Sequence, residues 1–180
     1  MKHEIETKVL DVDVTDVRER LSKLKAEKTG ETRLVVDWYR LKGVIEGEDP
    51  WFLRIRSNSE GKHEVTWKAD PKVLGISRTC KEINFIVNDP IAVGDFFSRI
   101  GLEHYAHQEK SRVSFSLQDW LIEIDTYPKM PPFLEIEGAS EQHVRKALEL
   151  LGLSANRTWA EGERTLIQQE FGLDWYDMRF

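Results

Sequence analysis

The sequence predicts an α+β fold, in which an eight-stranded antiparallel β-barrel closes into a tunnel with a charged lumen and helices pack on its outside. Three observations predict it. Segments of alternating residue character recur along the chain, capped helical segments lie between them, and each alternating segment has one largely apolar row and one charged row. No linker or break in composition divides the 180 residues, so a single domain over 1–180 is expected.

Alternation with a period of two residues marks the strands. Seven segments alternate clearly, and an eighth, residues 32–41, is rich in strand-favouring residues but less regular. The seven are residues 3–10, 51–56, 63–69, 80–87, 109–117, 120–127 and 132–138. About eight strands are enough to close a barrel, and a barrel of that size can enclose one small ligand.

Capping residues and glycines delimit the helices between these strands. Three helices are expected in this way, from Asp13 or Thr15 to Gly30, from Asn88 or Asp89 to Gly101, and from Ser140 to Gly152. A last amphipathic segment, residues 160–172, follows them. Because these helices are amphipathic, we expect them to cover the apolar rows of the strands.

The charged rows of the strands contain seven acids and six bases, and like charges often stand two residues apart. The acids are Glu4, Glu6, Glu82, Glu123, Asp125, Glu135 and Glu137, and the bases are Lys8, Arg54, Arg56, Lys68, Lys110 and Arg112. A solvated sheet face would explain any one of these strands. It explains the whole set poorly, because like charges held close together need counter-charges from elsewhere. The charged rows are therefore expected to face a lumen that holds water, cations and an anionic guest.

The types of charged residue favour metal-assisted phosphate chemistry. Paired arginines suit adjacent phosphates, because a guanidinium binds phosphate oxygens through two hydrogen bonds. Acidic clusters without His or Cys suit Mg²⁺ or Mn²⁺. The sequence has no phosphate-binding loop, no dinucleotide-binding glycine motif and no serine-hydrolase elbow. A glycosidase also uses paired acids, but its mechanism has no use for the interleaved bases.

Composition and charge argue against several other classes of protein. A net charge of -6 disfavours a non-specific nucleic-acid or membrane surface. Cys80 is the only cysteine, which excludes an intramolecular disulfide and a cysteine-based zinc site. No apolar signal segment or membrane-spanning run is present, so a cytoplasmic location is expected. The five histidines are scattered without ligand spacing and are interpreted as ordinary surface or loop residues.

The segment Glu4-Ile-Glu6-Thr-Lys8 resembles the N-terminal ExExK signature of the CYTH superfamily, the triphosphate tunnel metalloenzymes. The segments LRIR, TWK, EKSR, IEID and FLEIEG follow in the order that this family shows, and the likeness extends to about Gly152. The family includes class IV adenylyl cyclases, thiamine triphosphatases, inorganic tripolyphosphatases and some RNA 5′-triphosphatases. The resemblance implies an eight-stranded antiparallel tunnel that binds a triphosphate and a divalent metal.

The resemblance also implies roles for individual residues. Metal would be held by Glu4, Glu6, Glu135 and Glu137, with contributions from Glu123 and Asp125. The triphosphate would be lined by Lys8, Arg54, Arg56, Lys68, Lys110 and Arg112. Lys8 and Tyr39 are the expected catalytic residues, because Asp37 and Tyr39 resemble a D-x-Y element near the catalytic lysine of thiamine triphosphatase-like members. One departure is Glu82-Ile-Asn84, where the family often has Glu-x-Glu.

Three functions stay open on the sequence alone. We expect first a Mg²⁺- or Mn²⁺-dependent enzyme that hydrolyses tripolyphosphate, ATP or thiamine triphosphate. The alternatives are a class IV adenylyl cyclase, which makes cyclic AMP and pyrophosphate from ATP, and a non-catalytic module that binds polyphosphate or a nucleotide. The expected partner in each case is a small-molecule triphosphate, and the oligomeric state is left open.

Overall fold

Eight strands close into a barrel in the computed structural model, which describes residues 2–45 and 48–180 and, within these, all side chains except those of residues 2–4 and 70. The strands are β1 (Lys2–Val9), β2 (Glu27–Leu41), β3 (Trp51–Asn58), β4 (His63–Leu74), β5 (Ser77–Val87), β6 (Leu102–Leu117), β7 (Trp120–Thr126) and β8 (Phe133–Glu137). Their order is β1-β5-β4-β3-β2-β6-β7-β8, and β8 pairs with β1. Each of these pairs is antiparallel. The predicted barrel is confirmed.

Four helices and two short strands complete the described chain. They are α1 (Val14–Lys23), α2 (Pro90–Arg99), α3 (Glu141–Leu150), α4 (Glu163–Thr165), β9 (Thr158–Trp159) and β10 (Asp177–Met178). A π-helical turn, Leu166–Glu170, directly continues α4. The predicted caps are confirmed, because Asp13, Asp89 and Ser140 each accept hydrogen bonds from backbone amides in the first turn of their helix. None of the helices in the described residues has the length and apolar character needed to cross a bilayer.

The first helix ends earlier than its sequence pattern predicts. The expected end at Gly30 is wrong, since α1 stops at Lys23 and β2 begins at Glu27. Lys25 has a φ of 58°, a left-handed conformation that ends the helix. Residues from Glu27 onwards then pair with the far end of β6. Strand pairing has therefore overridden the local helical pattern.

The apolar rows of the strands face outward, and two of the apolar clusters lie beneath helices. Val17 of α1 and Val144 of α3 pack with Ile122 and Ile136 on one side of the barrel. On another side, Phe97 of α2 packs with outward residues of β2, β3 and β4. This arrangement leaves the charged rows on the inner face, as the sequence predicts.

A third apolar cluster lies at one end of the tunnel. Leu34, Val36 and Trp38 of β2 are paired with Asn58, Arg56 and Arg54, so they share the inner face. They pack with buried residues that follow α3, including Leu166, Ile167 and Trp175. The C-terminal segment therefore closes this end, where an apolar cluster lies beside the charged residues of the lumen.

Candidate active site in the barrel

A cavity of about 470 Å³ lies within the barrel, and charged side chains of seven strands line it. They are Glu6 of β1, Arg54 and Arg56 of β3, Glu64, Lys68 and Lys72 of β4, Arg78 and Glu82 of β5, Arg112 of β6, Glu123 of β7, and Glu135 and Glu137 of β8. Because inward residues recur at every second position, each strand contributes its charged row. The cavity thus brings together bases and acids that are far apart in the sequence.

Arg54 differs from the other inward bases because it has no ionic partner. It is buried, makes no ion pair with any residue that the structure describes, and its Nε has no hydrogen-bond partner there. Its guanidinium carbon lies 5.6 Å from the centre of the Trp38 ring, a weak cation–π contact. Arg54 therefore brings to the β3 wall of the cavity a positive charge that is in direct contact with no carboxylate of the described chain.

Arg56, also on β3, adds to this positive wall. Its Nη2 donates a hydrogen bond to Glu64 Oε1 at 2.6 Å. Burial lowers the pKa of Arg56, and the neighbouring charges of Arg54 and Arg112 lower it further. On β4, Lys68 Nζ lies 2.9 Å from Glu82 Oε2. An anion entering the cavity meets several cations on this side.

Two strands away from β3, Arg112 of β6 is held by carboxylates. Its Nε and Nη2 donate to the two oxygens of Asp125 at 2.6 Å each, and Nη1 pairs with Glu123. Lys110 Nζ also donates to Asp125, at 2.8 Å. Burial alone would raise the pKa of Asp125, but Arg112 and Lys110 outweigh it and lower the pKa. These two bases are paired in the structure, unlike Arg54.

Lys8 and Lys110 lie beneath the C-terminal segment at the closed end. Lys8 Nζ is 3.3 Å from Glu6 Oε1 and 3.4 Å from Glu135 Oε2, and it donates to the Glu161 carbonyl at 3.4 Å. Lys110 Nζ donates to Glu163 Oε1 at 2.7 Å. Burial would raise the pKa of Glu163, but Lys110 and Lys8 hold it well below its usual range. Both ammonium groups are therefore covered by residues 161–163.

The acidic side of the tunnel suits a hard divalent cation. Carboxylate oxygens of Asp125, Glu135 and Glu163 lie within 4.8 Å of one another. Burial raises the pKa of Glu123; Arg112 opposes this, while Asp125 and Glu135 raise it further, which indicates excess negative charge here. An all-oxygen donor set is the kind that Mg²⁺ and Mn²⁺ prefer. Of the other predicted metal ligands, Glu6 and Glu137 also line the cavity, whereas the side chain of Glu4 lies outside the described residues.

Comparisons with known proteins bear on the fold. No family model and no curated protein matches the sequence. Solved structures do match, among them a protein from Pyrococcus horikoshii, with a TM-score of 0.73 and 19% identity over 93% of this chain and 99% of that one. A candidate adenylate cyclase from Vibrio parahaemolyticus matches with a TM-score of 0.67 and 14% identity over 99% and 94% of the two chains.

A third match adds an activity to the comparison. It is a candidate adenylyl cyclase from Hippeastrum with a dominant triphosphatase activity, with a TM-score of 0.70 and 12% identity over 94% of this chain and 96% of that one. The chain therefore shares its closed eight-stranded antiparallel barrel fold with these structures.

Tyr39 is the one predicted site residue, among those whose side chains are described, that lies outside the tunnel. Trp38 points inward, so Tyr39 as its neighbour on β2 points outward. The Tyr39 ring meets Phe97 of α2 edge-on at 5.1 Å. Its hydroxyl would be 2.7 Å from a Cβ at Gly94, so the helix can lie this close because Gly94 has none. The structure gives Tyr39 a packing contact under α2 and no contact with the tunnel.

Six charged residues of the described chain that line the cavity are missing from the sequence prediction: Glu64, Lys72, Arg78, Glu161, Glu163 and Arg164. Arg78 Nε donates to Glu6 Oε1 at 2.6 Å, and Glu64 is the partner of Arg56. Both occupy even-numbered positions, which point inward in β4 and β5. Starting β5 at Ser77 and applying the alternation of β4 from His63 would therefore have predicted them. Glu163 gives no such signal, because it lies on a helical segment whose docking into the tunnel is a tertiary event.

The departure at Glu82 and Asn84 has a local explanation. Both residues line the cavity, and the Asn84 amide donates a hydrogen bond to Glu82. Lys68 provides the positive partner of Glu82. A neutral amide therefore stands where the family pattern often has a second carboxylate, which lowers the negative charge beside the β3–β4 wall.

Proposed function

We propose that the chain binds a triphosphate in the CYTH tunnel together with Mg²⁺ or Mn²⁺ and hydrolyses a phosphoanhydride bond. The observation that carries this proposal is Arg54, a buried guanidinium that faces the cavity without an ionic partner among the described residues. Burying an unpaired charge costs several kcal/mol. A polyanionic ligand would supply the missing counter-charge and offset that cost.

The cationic wall would hold the phosphate chain. Arg54 and Arg56 project from the same side of β3, and Lys68 projects beside them from β4. Two guanidinium groups this close can bind successive phosphates, each through paired hydrogen bonds. Arg112 would reach the chain from β6, two strands away, with its orientation fixed by Asp125.

The acidic wall would place the metal against the phosphates. When bound there, a divalent ion supplies neutralisation of phosphate charge and a lowered pKa for the attacking water. Asp125, Glu135 and Glu163 are the residues that we propose hold it, with Glu6, Glu123 and Glu137 beside them. Asp125 is bound to Arg112 and Lys110, so it would also fix the spacing between the metal and the phosphates.

In the proposed reaction, the oxygen of water forms a bond to the terminal phosphorus, the water gives up a proton to bulk solvent, and the bridging P–O bond breaks. The leaving phosphate oxygen keeps the electron pair and then gains a proton. Lys8 is the proposed donor, because its ammonium is buried beside Glu6 and Glu135 at the end of the acidic wall. Reaching the phosphates requires Lys8 to turn away from the Glu161 carbonyl.

A panel assay tests the proposal. Tripolyphosphate, ATP and thiamine triphosphate are each incubated with the protein and Mg²⁺ or Mn²⁺, and phosphate, pyrophosphate and cyclic AMP are measured. We expect phosphate release that chelation of the metal abolishes. Tight metal-dependent binding without any product over hours would overturn hydrolysis in favour of a binding module.

Adenylyl cyclisation is the second candidate, and one feature of the cavity favours it. The aromatic side chains of Trp38, Phe52 and Trp175 line the cavity together with Arg54. A flat base can stack against such rings while its phosphates reach the arginines. Cyclic AMP and pyrophosphate from ATP would support this candidate, and Phe52→Ala should then weaken ATP binding while sparing tripolyphosphate.

We also propose a single domain over 1–180 and a cytoplasmic location. All the described strands belong to one sheet, which supports the single domain. The only cysteine, Cys80, is buried, which agrees with a chain that does not depend on disulfides.

A further inference from the structure

Outside the tunnel, Asp37 of β2 lies between two histidines of β6. Asp37 Oδ1 is 3.0 Å from His104 Nε2 and 2.8 Å from His107 Nδ1. All three atoms lie within 4.8 Å of one another. Asp37 pairs with Ile55, whose side chain packs in the cluster beneath α2, so these residues are on the outer face of the barrel.

A β-bulge brings the two histidines to the same face. Residues three apart on a regular strand point to opposite faces. Here Trp38 pairs with Ala106 and Tyr39 pairs with His104, so Tyr105 is an extra residue in β6. The bulge shifts the alternation by one position and puts His104 beside His107. The interpretation of these two histidines as unrelated surface residues therefore does not hold.

We propose that Asp37, His104 and His107 bind a divalent transition-metal ion such as Zn²⁺. Two imidazole nitrogens and one carboxylate oxygen form a donor set that such ions accept, with positions left for water. Tetrahedral donor atoms about 2.1 Å from an ion are separated by about 3.4 Å. The observed separations from Asp37 Oδ1 are hydrogen-bond distances that are somewhat shorter, so only small side-chain movements are needed for an ion to replace the shared protons.

The surroundings of the cluster fit a cation. His107 Nε2 is buried without a hydrogen-bond partner among the described residues, and Glu109 Oε1 lies 3.7 Å away. Metal-bound histidines usually direct their second ring nitrogen at a carboxylate, which orients the ring. Asp177 of β10 is the register partner of His107 and adds another acid. The nearby base Arg33 is paired with Glu109 at 2.5 Å.

This site differs from the tunnel in both access and donor type. The side chain of His104 is 46% exposed, so an ion can reach it from solvent without passing through the barrel. Imidazole ligands favour Zn²⁺, Co²⁺ or Ni²⁺, whereas the oxygen ligands of the tunnel favour Mg²⁺ or Mn²⁺. The proposal therefore does not depend on the activity of the tunnel.

Metal binding to the intact protein tests the inference. Zn²⁺ binding is measured by equilibrium dialysis in excess Mg²⁺, and Co²⁺ binding is followed by its visible absorption. We expect His104→Ala and His107→Ala each to weaken Zn²⁺ binding on the order of 100-fold, and Glu109→Gln to weaken it about 10-fold or more. His63→Ala is the matched control, because that imidazole bonds Ser57 instead.

Two further variants keep the test decisive. Asp37→Asn keeps the size of the side chain but removes its charge, and we expect weakened Zn²⁺ binding with an unchanged thermal midpoint in the absence of metal. Glu135→Gln alters the tunnel and should leave this Zn²⁺ affinity unchanged. The proposal is overturned if the wild-type protein binds no Zn²⁺ in excess Mg²⁺, or if the histidine variants bind it as tightly as the wild type.

Discussion

Arg54 and Arg112 are both arginines on the inner face of the barrel, and each is 8% exposed. Their partners differ completely. Arg112 pairs with Glu123, Asp125 and Glu135, whereas Arg54 has no carboxylate partner among the described residues. The same residue type at the same depth can therefore be satisfied within the protein on one wall and unsatisfied on the other.

This difference separates a structural role from a binding role. A buried charge with excellent hydrogen bonds stabilises the fold only while its partners remain, because removing one partner leaves an uncompensated charge. A buried charge without partners stabilises nothing by itself, but it can bind an anion strongly. We therefore expect substitutions on the β6 wall to reduce stability and substitutions on the β3 wall to reduce activity.

The largest expected effect follows from removing the carboxylate that Arg112 and Lys110 share. Asp125→Ala leaves both bases buried with fewer partners, so we expect the free energy of unfolding to fall by about 3–5 kcal/mol. Equilibrium unfolding in urea measures it. Asp119→Ala, in an exposed turn, is the control and should stay within about 0.5 kcal/mol of the wild type. A loss for Asp125→Ala no larger than that of the control would contradict the structural role of the β6 wall.

The next effect concerns the β3 wall. Arg54→Met keeps the aliphatic volume and removes the unpaired charge, so kcat/KM for the preferred triphosphate should fall on the order of 100-fold. The urea midpoint should stay equal or rise, because an unpaired buried charge is lost. Arg18→Met, on the exposed side of α1, is the matched control for both measurements. If stability fell while activity was retained, Arg54 would be structural and the contrast with Arg112 would fail.

The contrast between the walls could be predicted only in part from the sequence. The strands and the inward position of Arg54 and Arg112 follow from strict alternation, which depends on local geometry alone. Which of the two arginines lacks a partner depends on cross-strand pairing, such as Arg112 beside Asp125, and that register is fixed by the whole barrel. Residue type therefore predicted the lining of the tunnel but not the roles within it.

Other parts of the site escaped prediction because of irregular geometry. The bulge at Tyr105 reverses the alternation in β6, and nothing in the sequence marks it. Glu163 enters the tunnel because the C-terminal segment docks there, which no short-range pattern encodes. The outward direction of Tyr39, in contrast, follows from the alternation of β2 once Trp38 is known to point inward.

The pH dependence of stability sharpens the same comparison. The pKa values of Asp125, Glu6 and Glu163 are lowered in the folded protein, because nearby bases outweigh the effect of burial. Their stabilising contribution is therefore complete above the unfolded pKa of about 4 and is lost as the pH falls through the lower folded values. We expect the urea midpoint to fall in acid below about pH 4 on account of these groups.

Glu163→Gln isolates one of these groups. The variant has no carboxylate to pair with Lys110 at any pH, so it should be less stable than the wild type at neutral pH. Its urea midpoint should also fall less steeply than that of the wild type as the pH is lowered. The contribution of Glu123 to stability changes with pH in the opposite direction. Its pKa is raised in the folded protein, so its contribution is lost as the pH rises through the folded value. If the urea midpoints of Glu163→Gln and the wild type fell equally in acid, the Lys110–Glu163 pair would make no contribution to the pH dependence of stability.

The smallest expected effect is at Tyr39, which shares β2 with the inward Trp38 but faces α2. If position on the inner face decides which residues act on the ligand, Tyr39→Phe should change kcat/KM by less than about 2-fold, because the hydroxyl that it removes lies beneath α2 and touches nothing in the tunnel. The ring contact with Phe97 is kept in this variant, so the thermal midpoint should also hold. Triphosphate turnover under the conditions of the Arg54→Met assay measures the effect. A large loss of kcat with an unchanged midpoint would mean that the outer face takes part in the reaction, and the assignment of roles by inner and outer position would have to be abandoned.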